Sequence, residues 1–392
     1  MSALPRHVIG FLTSLRVTVV LLAISIVLIF AATIDQVQLG ILAVQEKYFR
    51  SFFVFWNVPG SEIPVPIYPG GYLIGGLLLI NLVAAHLYRF QFSWKRSGLV
   101  LTHAGLVLLL IGELLTGLWQ RDSQMQLQEG ETKRYTEDFY LNELALIDTT
   151  DAQADTVVAI PEELLASGRT IQHPKLPFQV RVISHLPNAM LRMREQSPSA
   201  PPSPATMGVG TRVAVLPLRA TPRPSERNTP AAFVELVGAE GTLGTWLIST
   251  EIGAPQEFTY NNHSWRLILR AKRYYNPYGI TLLKVTHDVY PGSDIPKNFA
   301  SRIRLKSDDG RDDREVVVYM NNPLRYGGLT YYQYQMNKAT GLSVFQVVRN
   351  PSWLLPYVSS IMMGTGLVVQ FGIHLIDFVR RRYARPLPVS TP

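Results

Sequence analysis

Four long apolar stretches constrain this chain more than any other feature: residues 12–34, 71–87, 99–119 and 354–378. Crossing a hydrocarbon core of about 30 Å takes about 20 apolar residues at a helical rise of about 1.5 Å each. The stretches match that length, so they predict four transmembrane helices and exclude a purely soluble enzyme. They also account for a charged fraction of 17%, below the roughly 25% of an average globular chain. A cleavable signal peptide competes for the first stretch, where Ala31 and Ala32 offer small residues. The apolar run is too long for that reading, and three more follow.

The net charge of +8 is a topology signal rather than a nucleic-acid footprint. Segments 1–16, 88–97 and 377–392 carry nine basic residues and one acid, Asp377, which accounts for the whole excess. The tendency of basic loops to stay inside puts all three segments, and both termini, in the cytoplasm. A multi-pass protein of the plasma (inner) membrane follows, with its large domain extracytoplasmic. The expected organisation is 1–35 as cytoplasmic N-terminus and first span, 36–70 as outer loop, and 71–119 as two spans with a short linker. An outer domain, 120–352, and a last span with a basic tail, 353–392, complete it. Gly71 with Gly75, and Ser360 with Gly364, form small-xxx-small pairs that would let helices approach closely.

The outer segment has another texture. Runs at 178–186, 212–218, 232–237, 245–249, 264–271, 280–289, 301–305, 314–319, 329–334 and 342–348 are short and rich in β-branched, aliphatic or aromatic residues. Most alternate apolar with polar and end in turn residues, which predicts a mostly antiparallel β domain, a sandwich or an open barrel. Residues 161–166 read as helical, and 197–208 and 217–231 as Pro/Ser-rich loops.

The chain has no cysteine, so it offers no disulfide, thiolate nucleophile or Cys-ligated metal. Its eight histidines are more informative, because His86, His103 and His374 fall inside apolar spans, where ionisable groups are rare and usually functional. Counted from Arg89, Arg96 and Arg380 respectively, they lie about 5, 10 and 9 Å below the cytoplasmic surface. A neutral imidazole can ligate haem iron, and two can hold it from opposite faces. The same histidines could equally hydrogen-bond a neighbouring helix or anchor an interface. Arg89, Lys95, Arg96 and Arg380 are placed to meet haem propionates. Glu113 lies near the outer end of its span and reads as a solvated or helix-bonded acid. His173, His185, His263 and His287 read as isolated surface or core residues. No nucleophile-elbow, metalloprotease or phosphate-loop motif occurs, and no catalytic residue is visible.

Several stretches resemble the ResB (CcsB) family of System II cytochrome c biogenesis. Leu12-Thr13-Ser14-Leu15-Arg16 opens the first span, Ala32-Thr33-Ile34-Asp35-Gln36 closes it, and Gln45-Glu46-Lys47-Tyr48-Phe49 follows in the outer loop. Leu101-Thr102-His103-Ala104-Gly105-Leu106 lies in the third span, and Leu127-Gln128-Glu129-Gly130-Glu131 soon after it. Near the other end come Tyr290-Pro291-Gly292, Pro296-Lys297, Asn350-Pro351 and the most specific block, Asn321-Asn322-Pro323-Leu324-Arg325-Tyr326-Gly327-Gly328 with Tyr331-Tyr332-Gln333. That block reads as a turn-and-strand seam packing the β domain onto the membrane, its tyrosines supplying interfacial area.

The resemblance implies a non-catalytic subunit of a haem-attachment complex. Its partner would be a CcsA/ResC-type haem-handling membrane protein, and haem b would be carried outward and presented to apocytochrome c. A thioredoxin-like reductant would keep the apocytochrome thiols reduced. The resemblance also implies that His103 is the haem axial ligand. His374 and His86 gain little from it, and Arg89 and Arg96 remain propionate candidates. The competing expectation is a haem-free anchored scaffold whose β domain binds apocytochrome or assembly partners. A transporter is disfavoured, since no broken helix pair marks a substrate path.

Overall fold

The computed structural model describes residues 6–57, 64–88, 93–221, 227–289 and 296–383. The chain divides into two compact units, Met1–Arg121 with Asn350–Pro392, and Asp122–Arg349.

The first unit is helical. A short α1 (Arg6–Leu12) precedes α2 (Leu15–Val44), α3 (Gly71–Tyr88) and α4 (Ser97–Trp119). Among the described residues, four helices are long and apolar enough to cross a membrane: Leu15–Ile41, Gly71–Tyr88, Trp94–Trp119 and Leu355–Tyr383. The chain is therefore a multi-pass membrane protein. α2 runs past the expected end at residue 34, and Gly40, at φ 77°, interrupts its helical backbone. Only glycine takes that left-handed conformation without strain. The break between α1 and α2 is tied to α3 by buried Asn81, whose amide donates to the Leu12 (2.7 Å) and Ser14 (3.2 Å) carbonyls. Its carbonyl accepts from the Thr18 hydroxyl at 2.6 Å. The Leu12 carbonyl, at the end of α1, is one of the helix-end groups that need a partner from outside the helix. In the loop after α2, β1 (Phe53–Asn57) and β2 (Pro64–Pro69) pair as an antiparallel hairpin.

Three glycines spaced by seven, Gly98, Gly105 and Gly112, are buried along α4. A Cβ added to any of them would strike the last helix, at Gly366 and Gln370, at Ser359 and Met363, and at Leu355 respectively. Close backbone approach through small residues is the usual way helices associate in lipid. The pairs expected from spacing do not serve this purpose: Gly75 and Gly364 face open space. A four-residue spacing says nothing about which face has a neighbour.

The second unit is a large antiparallel β domain, as the alternation predicts. It begins with β3 (Arg121–Gln128), β4 (Thr132–Asp148) and β5 (Thr156–Pro161), then α5 (Glu162–Ala166), β6 (Thr170–Ile171), β7 (Gln179–Leu186), β8 (Ala189–Met193) and β9 (Val213–Pro217). β10 (Ala231–Gly238), β11 (Gly241–Ser249), β12 (Gln256–Tyr260) and β13 (His263–Val289) follow. β14 (Pro296–Ser307), β15 (Asp313–Tyr319), β16 (Leu324–Tyr326), β17 (Leu329–Asn337) and β18 (Leu342–Arg349) complete it, before α6 (Leu355–Tyr383) returns to the first unit. Ten strands form one nearly closed sheet in the order β15-β14-β13-β4-β3-β18-β17-β16, with β12 on β13 and β5 on β4. A four-stranded sheet, β11-β10-β7-β6, and the β8-β9 pair stand beside it.

Both expected architectures are present, because β13 is long enough to serve two cores. Leu144 and Leu146 at the end of β4, with Leu267 and Leu269 at the start of β13, face Val180, Val234 and Leu236 of the smaller sheet, a sandwich core. Further along β13, Ile280 and Leu282 join Leu127, Leu305, Phe345 and Val347 inside the barrel. The two runs at 264–271 and 280–289 are thus one strand. Its register slips between Tyr275 and Ile280, where Asn276-Pro277-Tyr278-Gly279 bulges out of the β4 pairing. A bulge bends a strand and lets it pass from one core to the next.

The Asn-Pro-Leu-Arg-Tyr-Gly-Gly block corrects one expectation. Gly327 (φ 58°) and Gly328 (φ 74°) make the turn between β16 and β17, and Asn321 (φ 63°) the one before. Its Tyr331, however, is buried in the barrel core rather than spread on an interface. The Tyr331 hydroxyl meets that of Tyr278 at 2.8 Å, and Tyr278 stands edge-on to Tyr326 at 4.8 Å between ring centres.

Candidate functional site

α3 and α4 are joined by a short linker and pack as neighbours, so the last turn of one meets the second turn of the other. His86 and His103 lie at that meeting point. His103 Nδ1 is 3.0 Å from His86 Nε2, and the rings stand edge to face, 4.7 Å between centres and 82° between planes. Both side chains are half-buried.

The hydrogen bonds fix where the protons sit. His86 Nδ1 lies 2.9 Å from the carbonyl oxygen of Leu82. A carbonyl only accepts, so this nitrogen carries the proton. In neutral His86, Nε2 is then a lone-pair acceptor, and His103 Nδ1 must donate to it. The remaining nitrogen of His103, Nε2, is left with its lone pair. Assigned from the hydrogen-bond network in this way, His103 presents one unprotonated nitrogen on a ring held in orientation. Metal-ligating imidazoles have this arrangement, with the second nitrogen donating to an oriented acceptor.

The other candidates lie elsewhere. His374, exposed on α6, accepts from the Gln370 amide at 3.0 Å. That glutamine also donates to the Lys95 carbonyl (3.2 Å) and accepts from the Leu99 N–H (3.0 Å), stitching α6 to the start of α4. His374 is a member of this helix-helix contact, not of the His86–His103 pair. Arg96 ends a short 3₁₀ turn, Trp94–Arg96, and is exposed beside Lys95. Arg89 lies outside the described residues, and Arg380 is exposed in the last turn of α6. Glu113 is exposed on α4. Among the described residues no group of three or more metal-ligating side chains occurs.

Two histidines of the β domain that read as isolated in the sequence have partners. His185 lies 3.1 Å from Glu162, and His263 Nδ1 2.7 Å from Asp148. The Asp148 carboxyl is held below the ordinary carboxylate range: burial works against this, but the Thr150 hydroxyl and N–H and His263 outweigh it. The His287 side chain lies outside the described residues.

Two pieces of the sequence resemblance meet at one atom. Asp35 near the end of α2 accepts from Lys47 Nζ at 2.6 Å and from the Tyr48 hydroxyl at 2.8 Å, both on Oδ2. Lys47 and Tyr48 sit on a single π-helical turn, Gln45–Phe49. No spacing rule connects position 35 to 47, since the kink at Gly40 lies between them.

These features define a multi-pass membrane protein that carries a sandwich-and-barrel β domain and a paired histidine site between two of its helices. Residues 244–344, from β11 to β18, match the model of the ResB-like family. The match agrees with the resemblance carried by the motifs, and contains the Asn-Pro-Leu-Arg-Tyr-Gly-Gly block. Among curated proteins none matches the chain.

Proposed function

We propose that this chain is a subunit of a System II cytochrome c biogenesis complex, in which His103 Nε2 is an axial ligand to haem b in transit across the membrane. The observation that carries the proposal is the bare Nε2 of His103, set inside a candidate membrane span by its hydrogen bond to His86. The ResB-like match in the β domain supplies the biological setting. When bound, haem is the cargo passed to apocytochrome thiols, and the chemistry of attachment belongs to its vinyl groups.

The residues fit such a cargo in a limited way. This chain offers one ligand nitrogen at the pair, on His103, and a CcsA/ResC-type partner would supply a second ligand. Exposed Arg96 and Lys95, at the same end of α4, supply cations for propionates. The absence of cysteine keeps the chain from competing for the apocytochrome's thioether chemistry. The β domain then serves apocytochrome c and the partner's outer loops, with the thioredoxin-like reductant acting on the apocytochrome alone.

Copurification decides the matter. The chain expressed with its partner carries haem with a Soret band, His103→Gly loses it, and added imidazole restores it. A colourless complex overturns the ligand assignment and leaves the haem-free scaffold as the reading; equal haem and identical spectra in His103→Gly overturn the ligand assignment alone.

A further inference from the structure

We infer that His86 is a positioning residue for His103: it selects which imidazole nitrogen of His103 faces the haem iron, and it holds the ring at a fixed orientation. The inference rests on the haem-ligand reading above, but its core is a property of the haem-free chain.

Four atoms are linked in series, from the Leu82 carbonyl to His103 Nδ1. The Leu82 carbonyl accepts from His86 Nδ1 at 2.9 Å, and His86 Nε2 accepts from His103 Nδ1 at 3.0 Å. Each link has only one workable polarity once the first is fixed by a carbonyl, which has no proton to give. The series therefore ends with a lone pair on His103 Nε2. Without His86, neither nitrogen of His103 is assigned a proton by a partner, and the ring can rotate about its side-chain bonds.

The arrangement also affects ligand strength. An imidazole whose far N–H donates to an acceptor is a more basic ligand than one whose N–H is free, and the partner of that N–H orients the ring. His86 contributes through this hydrogen bond and does not touch the iron. The edge-to-face stacking of the two rings, 82° apart, restricts rotation of His103 further.

This reading gives His86 a role distinct from that of a second ligand. Its Nδ1 is committed to Leu82 and its Nε2 to His103, so neither of its ring nitrogens is offered in the neutral pair. It also explains why a histidine three residues before Arg89, at the end of a span, need not be an interface anchor.

The test uses the full chain with ¹⁵N-labelled histidine rings, first without haem. The unsubstituted chain should show His103 protonated on Nδ1 and bare on Nε2; a proton on Nε2 overturns the inference, whatever any variant does. His86→Leu should lose this preference, whereas His86→Gln, whose side-chain oxygen can accept in place of Nε2, should keep it. Haem is then titrated into the same proteins. His86→Leu should weaken retention by about 10- to 100-fold, the usual cost of losing a partner of this kind. It should also move the iron–histidine stretch of the ferrous form to lower frequency, and His86→Gln should restore both. Equal tautomer, affinity and stretch in His86→Leu overturn the inference. If the tautomer switches as expected but His103→Gly keeps all its haem, the positioning holds in the apoprotein and the ligand reading fails, so the two failures are told apart. A His86→Leu chain that does not fold is replaced by His86→Phe, read against the same unsubstituted spectrum.

Discussion

Gly98 and Gly366 bring α4 and α6 into backbone contact. A Cβ on Gly98 would stand 2.5 Å from the Gly366 carbonyl oxygen, and one on Gly366 2.7 Å from that of Gly98. Nothing larger than hydrogen fits at either position without moving a backbone. The close approach continues at Gly105, against the Ser359 carbonyl, and at Gly112, against the Leu355 side chain, so the seam runs through the turn that carries His103 and beyond.

Leucine at Gly98 or Gly105 should therefore push α4 and α6 apart. Overpacking of this kind costs about 1–3 kcal/mol, read as a lower unfolding midpoint in detergent. Gly75→Leu is the control, because nothing lies within 4 Å of the Cβ it would add. An equal midpoint for Gly98→Leu and Gly75→Leu would sink the seam.

Arg270 and Glu143 face each other across β13 and β4, both nearly fully buried, with guanidinium-to-carboxylate distances of 3.0 and 3.1 Å. Glu143→Gln leaves a buried cation without its counter-charge, which costs about 3–5 kcal/mol. Replacing both, by Arg270→Met with Glu143→Met, should recover most of that loss, since an apolar pair avoids the desolvation of either ion. Chemical unfolding of the three chains checks the order: single variant least stable, double variant near the parent.

The alternation between residues 120 and 352 is enough to read an antiparallel β domain, because strands with one buried face must alternate. β4 is less legible: its first half, Thr132–Asp138, carries charges on both faces, and only its second half, with Leu144 and Leu146, enters a hydrophobic core. The spans were legible from length and hydropathy alone. Their packing was not, since the glycines at 98, 105 and 112 become a seam only when another helix is laid against them. His103 stands out in the sequence by its position in a span and by the family resemblance, whereas His86, three residues before Arg89, reads as nearly interfacial. Its role depends on α3 and α4 meeting side by side, and no one-dimensional pattern contains that distance.

The Tyr278–Tyr331 pair makes a pH prediction. Burial, above all, raises both hydroxyls above the ordinary tyrosine value of about 10, and for Tyr331 the neighbouring Tyr278 adds to the effect. A group whose folded-state pKa is raised contributes its full stability below the unfolded pKa and loses it as pH climbs. The barrel should therefore be insensitive to these two groups below about pH 10 and weaken above it, by up to about 1.4 kcal/mol per pH unit for each phenol. Replacing both by phenylalanine should flatten the alkaline arm of the unfolding curve, measured by circular dichroism. An unchanged alkaline slope in the double variant would remove the pair from the account.

Asp35 gathers Lys47 and Tyr48 onto one oxygen, and its loss should free the turn that carries them. Burial alone would lower the Lys47 pKa, but the hydrogen bond and charge of Asp35 outweigh it and hold the ammonium above its ordinary value. The pair is over a third exposed on both sides, so its stabilisation is modest and weakens with salt. Its effect should be local. With Asp35→Asn the amide still accepts a hydrogen bond but no longer balances the ammonium, and the π-helical turn Gln45–Phe49 loses its charge anchor to α2. Trypsin acting on the chain in lipid nanodiscs should then cut after Lys47 and Arg50 faster than in the parent, with the global unfolding midpoint nearly unchanged. Asp35→Glu, which keeps the charge, should fall between the two. If Asp35→Asn is cut no faster at low salt, where the ion pair is strongest, the carboxylate is not what holds this turn.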